Sequence, residues 1–268
     1  MKFLFSDIAL FQAVFLRSII TVPPVLLLVW VTKVTLRNLA KQDIRLIWLR
    51  VGAEICTTIA FLTALKYMPL ANVTAILQAL PLAVTMAAAL FLSEPIGWRR
   101  WSAILVGFLG VLIVVRPGLD GFNVYSLSAL AAIIFITVRE IATRKLAQEV
   151  PTITVVLSTA IGSAVFSGIM MIGAEWHTVS TSSWLLLIGA AFAVLIATLL
   201  SVMAMRTGEI GFVSPFRYTS MLGAIGLGIL MFGEWPDQLT LAGTLIIVIT
   251  GIYTFHREQK VSRGVTAS

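Results

Sequence analysis

The sequence contains few of the residues from which catalytic and metal sites are usually built. Cys56 is its only cysteine, and His177 and His256 are its only histidines. These numbers exclude an intrachain disulfide and a zinc site made of several cysteine or histidine ligands. Neither a His–Glu zinc pattern, nor a G-x-S-x-G elbow, nor an ATP-binding motif occurs. The sequence predicts no cofactor and no enzymatic activity.

Charged residues are also scarce, at 12% of the 268, whereas apolar residues reach 59%. Ordinary soluble domains are about half apolar and about one quarter charged. A soluble fold could not bury so many apolar side chains, but a lipid bilayer accepts them. The composition therefore predicts an all-α integral membrane protein.

The first residues, "MKFLFSDIALFQAVFLRS", resemble a targeting peptide but lack its features. Asp7 interrupts the apolar core, Arg17 follows, and no A-x-A cleavage site precedes Pro23. We interpret this stretch as part of the folded protein.

A spanning helix needs about 20 mostly apolar residues, and the chain offers nine candidates separated by short polar gaps. The predicted spans are Ile8–Val31, Leu46–Leu65, Leu70–Leu92, Trp101–Val115, Ser126–Val138, Ile153–Ile172, Trp184–Met203, Ile210–Phe232 and Leu239–Phe255.

The net charge of +7 gives no reason to expect nucleic acid as a partner, because the basic residues are distributed among the gaps between spans in a pattern that indicates membrane topology. Alternate gaps contain thirteen of the basic residues, including Arg139 and Arg206, and the opposite gaps contain Lys2, Lys66 and Arg116. Lys and Arg concentrate on the cytoplasmic side of membrane proteins. This pattern predicts a multi-pass protein of the cell inner membrane with a cytoplasmic C-terminus.

The segments Ala64–Glu94 and Ala204–Glu234 resemble each other at an offset of 140 residues. They fall in the third and eighth spans, which run in opposite directions, and this is typical of inverted-repeat transporters. The predicted domains are a first repeat at residues 1–117, a linker at 118–125, a second repeat at 126–256 and a cytoplasmic tail at 257–268.

The second repeat contains five predicted spans and the first contains four. The comparison predicts an inverted-repeat helical bundle with nine transmembrane helices (4+5) of an expected ten. Residues 1–12 then correspond to the end of a first helix and the turn after it. The alternative is a protein that naturally has nine helices.

Four segments carry a resemblance to a known family: Val14–Ser18 ("VFLRS"), Ala64–Ile76 ("ALKYMPLANVTAI"), Leu92–Trp101 ("LSEPIGWRRW") and Ser214–Asp237 ("SPFRYTSMLGAIGLGILMFGEWPD"). The chain resembles the drug/metabolite transporter superfamily, in its ten-helix EamA-type branch, over its whole length. The resemblance implies two five-helix halves, a central cavity, cytoplasmic termini, and export or uptake of small metabolites. Its "PFRYTS" segment is similar to bacterial carriers of S-adenosylmethionine or riboflavin.

Charged side chains inside spans are costly and usually face a cavity or a partner. Arg17, Arg50, Glu54 and Arg217 are the candidates. Arg17 lies about 13 Å into its span and is a candidate for the substrate pathway or for a clamp on backbone carbonyls. Arg50 either contributes to the pathway or extends to the membrane surface, and with Glu54 it could form a fixed pair or a proton site.

Polar residues recur on one face of each repeat helix, and these stripes predict the substrate pathway. They are Thr74 and Gln78 in the third span, and Ser214, Arg217 and Tyr218 in the eighth. Pro81 is expected to kink the third span. Small residues at helical spacing predict close helix packing. They are Ala75, Ala79, Ala83, Ala87, Ala224 and Gly228.

These observations predict a secondary transporter that moves a small organic metabolite by alternating access. An amino acid-like, nucleoside-like or vitamin-like substrate fits, S-adenosylmethionine and riboflavin among them. The alternatives are a passive channel, a membrane scaffold without transport, or an inactive truncated paralogue. The expected partners are the substrate and the lipid bilayer, and the sequence leaves a homodimer open.

Overall fold

The computed structural model describes residues 8–33, 39–91, 97–116, 123–207, 223–233 and 235–265. For residues 100, 255 and 257–265 it describes the backbone alone. Helices account for nearly all of this part of the chain, and no strand occurs in it. They are α1 (Leu10–Thr32), α2 (Lys41–Tyr67), α3 (Leu70–Leu77), α4 (Leu80–Phe91), α5 (Trp98–Val115), α6 (Ser126–Arg144), α7 (Thr152–Met170), α8 (Thr181–Thr207), α9 (Gly223–Phe232) and α10 (Gln238–Val265).

The predicted all-α membrane fold is confirmed. Six stretches in the described ranges are long and apolar enough to cross a membrane, with α3 and α4 together forming one of them. Many large apolar side chains face outward, such as Trp30, which is 77% exposed, and Leu230, which is 84% exposed. Such a surface suits lipid rather than water. The chain is a multi-pass membrane protein.

The third predicted span, Leu70–Leu92, is divided into two helices. Pro81 has no backbone N–H, so it cannot bond the carbonyl group of Leu77, as a residue inside a helix would. Just before Pro81, the Gln78 and Ala79 N–H groups bond the carbonyl groups of residues 74–76, at 3.1–3.2 Å. The expected disturbance at Pro81 is therefore present as a break between α3 and α4.

The chain forms two compact units, and each contains residues from both halves of the sequence. Unit 1 comprises residues 1–62 and 138–207, and unit 2 comprises residues 63–137 and 208–268. This division differs from the two predicted repeats, which stay a prediction.

In unit 1, α1 packs along α7 and α8. Its apolar core includes Val25, Val51, Val155 and Val202, each at most 3% exposed. Glycine allows one close contact here, because a Cβ atom on Gly162 would lie 2.3 Å from the Val51 side chain. This packing surrounds the polar residues that are described below.

The connection between α6 and α7 is fixed from two other helices of unit 1. The carboxylate of Asp43 in α2 accepts a hydrogen bond from the Ala147 N–H at 3.1 Å. Arg206, near the end of α8, donates to the Ala147 and Gln148 carbonyl groups at 3.1 and 2.8 Å. Arg206 was predicted to lie in a loop, but it belongs to the last turn of a helix.

In unit 2, α5 packs closely along α10. A Cβ atom on Gly243 would lie 2.6 Å from the Gly110 carbonyl oxygen, so the two backbones approach too closely for a larger residue. Helices α3 and α4 pack against this pair. The rings of Tyr67 and Tyr125 stack with centroids 4.2 Å apart.

The ends of α5 and α10 are joined by an ion pair between Arg116 and Asp237. Arg116 follows the last residue of α5 in the left-handed conformation, with φ of 52°. Asp237 precedes α10 and accepts a hydrogen bond from the Thr240 N–H at 2.7 Å, which makes it the N-cap of that helix.

Candidate functional site

A cavity lined by both polar and apolar side chains lies among the helices of unit 1. We call it the unit-1 cavity. The polar residues that line it are Arg17, Ser18, Thr21, Glu54, Thr159, Ser163 and Thr198, which come from α1, α2, α7 and α8. The centre of a water molecule can occupy about 30 Å³ of it. This is room for about two water molecules, each of which needs roughly 10–15 Å³.

Arg17 brings a buried positive charge to this cavity. Its side chain lies in α1 and is 9% exposed. Among the described residues, none forms a hydrogen bond or an ion pair with its guanidinium group. The predicted alternative, a clamp on backbone carbonyls, is therefore not found in the described part of the chain. A guanidinium group has five N–H donors in a planar arrangement that matches a carboxylate or a phosphate.

Glu54 lines the same cavity from α2 and is paired on its other side with Arg139 of α6. Its Oε2 atom lies 2.7 Å from Nη1 of Arg139. The sequence predicted Arg139 to be in a cytoplasmic loop, and this prediction is wrong. Helix α6 continues to Arg144, so Arg139 lies within the helix.

Arg139 also binds a second carboxylate, which fixes its position. Its Nη2 atom lies 2.7 Å from Oε1 of Glu140, and the Ser201 hydroxyl donates to the same oxygen at 3.2 Å. Glu140 is only 2% exposed. The side chain of Arg139 thus connects a buried acid on α6 with the acid that faces the cavity.

Arg50 does not extend to the membrane surface, because its side chain is 2% exposed. Its guanidinium group donates to the hydroxyl of Thr143 at 2.9 Å and to that of Thr159. The expected direct pair of Arg50 with Glu54 does not form, because Glu54 is bound to Arg139. Arg50 is thus a neighbouring charge whose donors are engaged by hydroxyl groups.

Five charged side chains therefore form one group in unit 1, which we call the charged cluster. Arg17 and Arg50 are close enough to Glu54 to interact with it electrostatically. The cluster has three positive and two negative charges. Arg139 pairs with both acids, Arg50 donates to hydroxyl groups, and Arg17 has no hydrogen bond or ion pair through its guanidinium group among the described residues. Its members are Arg17, Arg50, Glu54, Arg139 and Glu140.

The other predicted pathway residues do not belong to the unit-1 cavity. Thr74 and Gln78 lie in unit 2, where the Thr74 hydroxyl donates to the Leu70 carbonyl at 2.8 Å and Gln78 is buried. Ser214, Arg217 and Tyr218 lie outside the described residues. The residues predicted for helix packing are all buried. They are Ala75, Ala79, Ala83, Ala87, Ala224 and Gly228.

The sequence interpretation missed Arg139 and Glu140 as members of the site, although one signal pointed to them. The fifth predicted span, Ser126–Val138, had only 13 residues, whereas a spanning helix needs about 20. Extending it to that length places both charges inside the membrane. The hydroxyls of Thr159 and Ser163, one helical turn apart on α7, were a second such signal.

Charged side chains that face a cavity inside a multi-pass helical bundle are characteristic of membrane carriers. The EamA-like transporter family matches residues 1–116 and 124–255 of this chain. The chain belongs to this family of transporters, as its resemblance predicted.

Curated relatives transport different compounds. The chain is 30% identical to the riboflavin transporter of Vibrio cholerae over 80% of its own length and 72% of that protein. It is 27% identical to the S-adenosylmethionine uptake transporter of Rickettsia conorii over 73% of its length and 66% of that protein, just under two thirds. It is 26% identical to the pseudopaline exporter CntI of Pseudomonas aeruginosa, over 80% and 76%.

A solved crystal structure shows the same fold. The match covers 92% of this chain and 89% of the chain in that structure, with a TM-score of 0.69 and 20% sequence identity.

Proposed function

We propose that this chain is a secondary transporter that moves a small anionic or zwitterionic metabolite across the inner membrane by alternating access. Arg17 is the observation that carries the proposal. It is a buried cation at a cavity, and no described residue neutralises it through a hydrogen bond or an ion pair. We propose that its guanidinium group binds a carboxylate or a phosphate of the substrate.

The energetics of buried charge support this role. An unpaired ion in a protein interior costs several kcal/mol, and a bound counter-ion with good geometry offsets that cost. Hydrogen bonds that involve charged groups contribute about 1.5–3 kcal/mol each. A substrate anion at Arg17 would therefore stabilise both the protein and the bound state.

Two substrates named for the relatives differ in whether they contain an anionic group that Arg17 could bind. S-adenosylmethionine contains a carboxylate that Arg17 could bind, and positive groups that Glu54 could receive at the same cavity. Riboflavin has no ionised group near neutral pH. We therefore propose a substrate that contains a carboxylate, and S-adenosylmethionine, which contains one although its net charge is positive, is the first compound to test.

The cavity has room for about two water molecules, so it must widen to hold such a substrate. Alternating access provides this widening, because the site opens to one side of the membrane at a time. A passive channel or a scaffold without transport is the rival proposal. Flux that saturates with concentration and follows a substrate gradient distinguishes the carrier from both. We also propose the cytoplasmic C-terminus and the two EamA-like repeats that the sequence predicts.

The first prediction concerns uptake by variants of Arg17. Bacterial cells that do not take up S-adenosylmethionine should acquire saturable uptake when they express the chain. Arg17→Gln should lower the initial rate at low substrate concentration by about 10- to 100-fold, because it removes charge-assisted hydrogen bonds. The uptake rate of Arg17→Lys should lie between those of the parent and Arg17→Gln, since lysine keeps the charge but not the planar donor pair.

Arg45→Gln is the matched control. Arg45 is an exposed arginine near the start of α2, and its substitution removes the same charge. It should transport at the parent rate at equal membrane expression. The same cells should also be tested with riboflavin. Saturable riboflavin uptake that Arg17→Gln leaves unchanged, with no uptake of any charged compound, would contradict the proposal.

A further inference from the structure

We propose that Arg139 is a positioning residue that holds Glu54 away from Arg17, so that Arg17 remains available to the substrate. This inference rests on the proposed function, because it concerns the same anion site. It gives a transport role to a residue that touches neither the substrate nor the group that binds it.

Glu54 has more than one possible cationic partner within unit 1. It lines the same cavity as Arg17 and interacts with it electrostatically. Its Oε2 atom is nevertheless bound to Arg139, at 2.7 Å from Nη1. The carboxylate is therefore directed to α6, and the guanidinium group across the cavity is left without a bonded anion among the described residues.

Arg139 can hold Glu54 because a second acid fixes its own position. Its Nη2 atom lies 2.7 Å from Oε1 of Glu140, and the Ser201 hydroxyl donates to the same oxygen. Arginine presents parallel donors in a rigid plane, which suits it to two carboxylates at once. Lysine, with a single nitrogen, cannot reproduce this arrangement.

The remaining arginine of the cluster, Arg50, interacts with Glu54 more strongly than Arg17 does, but its donors are already engaged. Arg50 already donates to the hydroxyls of Thr143 and Thr159. Arg17 has no such bonds with the residues that the structure describes, so it has none of these to give up. If the charge of Arg139 is removed, the attraction between opposite charges in a poorly polarisable interior favours pairing of Glu54 with Arg17. That pair would occupy the anion site with the protein's own carboxylate.

The second prediction is a change of sign in the effect of Arg17→Gln on thermal stability, and it requires no substrate. In the parent, the substitution removes an unpaired buried cation, so the Tm of the purified full chain in detergent should stay constant or rise. In an Arg139→Gln background it should break the newly formed pair and lower the Tm by roughly 5 °C. Equal effects in the two backgrounds would overturn the inference.

Sodium acetate, a small carboxylate, provides the second readout. It should raise the Tm of the parent more than that of Arg17→Gln, at the same ionic strength. Arg139→Gln should lose this extra rise, and the double variant Arg139→Gln/Glu54→Gln should regain it, because the competing carboxylate is gone. A purely structural role for Arg139 predicts no such rescue.

The two readouts separate this inference from the proposed function. If acetate stabilises the parent and Arg17→Gln equally, Arg17 is not the anion site and the proposed function fails. If acetate needs Arg17 but the double variant does not regain its effect, only the positioning role fails. Should Arg139→Gln not fold, Arg139→Lys takes its place, and the loss of the acetate effect on Tm is expected to be smaller. If both the Tm effect of Arg17→Gln and the rise in Tm with acetate are the same in Arg139→Lys as in the parent, the inference is overturned.

Discussion

Arg50 and Arg17 are both buried arginines of unit 1, yet their surroundings differ. Arg50 is 2% exposed and donates to two threonine hydroxyls, which satisfy part of its guanidinium group within the protein. Arg17 is 9% exposed and borders a cavity. The first arrangement is typical of a structural arginine. The second leaves hydrogen-bonding capacity for a ligand.

Asp237 is the charged residue whose titration can be predicted most directly, because it lies outside the membrane spans. The hydrogen bond from Arg116 lowers the pKa of its carboxyl group to about 2, against the opposing effect of burial. A carboxyl group with a lowered pKa in the folded state stabilises the protein above its unfolded pKa, which is about 3.9. This stabilisation is lost as the pH falls toward 2.

The third prediction follows from that sign. Asp237→Asn removes the charge but keeps an N-cap side chain for α10, so it isolates the ion pair. The Tm of the parent should exceed that of Asp237→Asn by a small constant amount above about pH 5, and the difference should shrink between about pH 4 and pH 2. Asp237→Ala should lose the cap as well, at every pH. A Tm difference between parent and Asp237→Asn that grows as the pH falls would refute the assignment.

At the scale of helices, α5 and α10 of unit 2 approach each other closely, backbone against backbone. A Cβ atom on Gly243 would lie 2.6 Å from the Gly110 carbonyl oxygen and 2.7 Å from the Val114 side chain. Since backbone atoms cannot move aside as a flexible side chain can, any larger residue must separate the two helices. Small residues have this role in many membrane proteins.

The fourth prediction tests this contact. Gly243→Ala should destabilise the protein by about 1–3 kcal/mol, as expected for overpacking, and should lower its Tm. Gly189→Ala is the matched control in the interior of α8, because a Cβ atom there meets nothing within 4 Å. It should be neutral or slightly stabilising, since alanine is the better helix former. Equal stability of the two variants would show that α5 and α10 separate without cost.

Helices such as α7 could be placed from the sequence because about 20 apolar residues in a row leave few alternatives to a spanning helix. The predicted Ile153–Ile172 lies within two residues of Thr152–Met170 at either end. The end of α6 was misplaced because its final turns contain the charges that normally mark a loop. The pairing of Arg139 with Glu54 depends on a contact 85 residues away in the chain, which helical periodicity cannot reveal.

The candidate site was predictable in part. Arg17 and Glu54 could be identified because charges inside an apolar span are rare and usually functional. Which arginine binds Glu54 could not be predicted, because Arg50 is its neighbour on the helix and Arg139 is its neighbour only in the folded unit. The predicted roles of Ser214, Arg217 and Tyr218 stay predictions.

At the scale of the whole molecule, the distribution of basic residues predicts the orientation in the membrane. Without Arg139, which the structure places in the charged cluster, twelve basic residues of the original thirteen remain on the predicted cytoplasmic side. Three lie on the other side. The asymmetry that supports a cytoplasmic C-terminus therefore persists.

The fifth prediction tests that orientation by cysteine labelling. In a Cys56→Ser background, single cysteines at Gln42 and Thr178 provide two exposed positions that are predicted to lie on opposite sides. An impermeant thiol reagent should label Thr178→Cys in intact cells and Gln42→Cys only after the cells are lysed. Labelling of both positions in intact cells would contradict the predicted topology.

The odd charge of the cluster has an electrical consequence for transport. With three arginines and two glutamates, the cluster carries +1 when the site is empty and zero when it binds a monovalent anion. Moving one elementary charge through 100 mV changes the free energy by about 2.3 kcal/mol. With a monovalent anion as the proposed substrate, a membrane potential would act on the return of the empty carrier and leave the loaded step electroneutral, so the voltage across the membrane would set how fast the carrier resets. With S-adenosylmethionine, whose net charge is positive, the loaded step would carry charge as well.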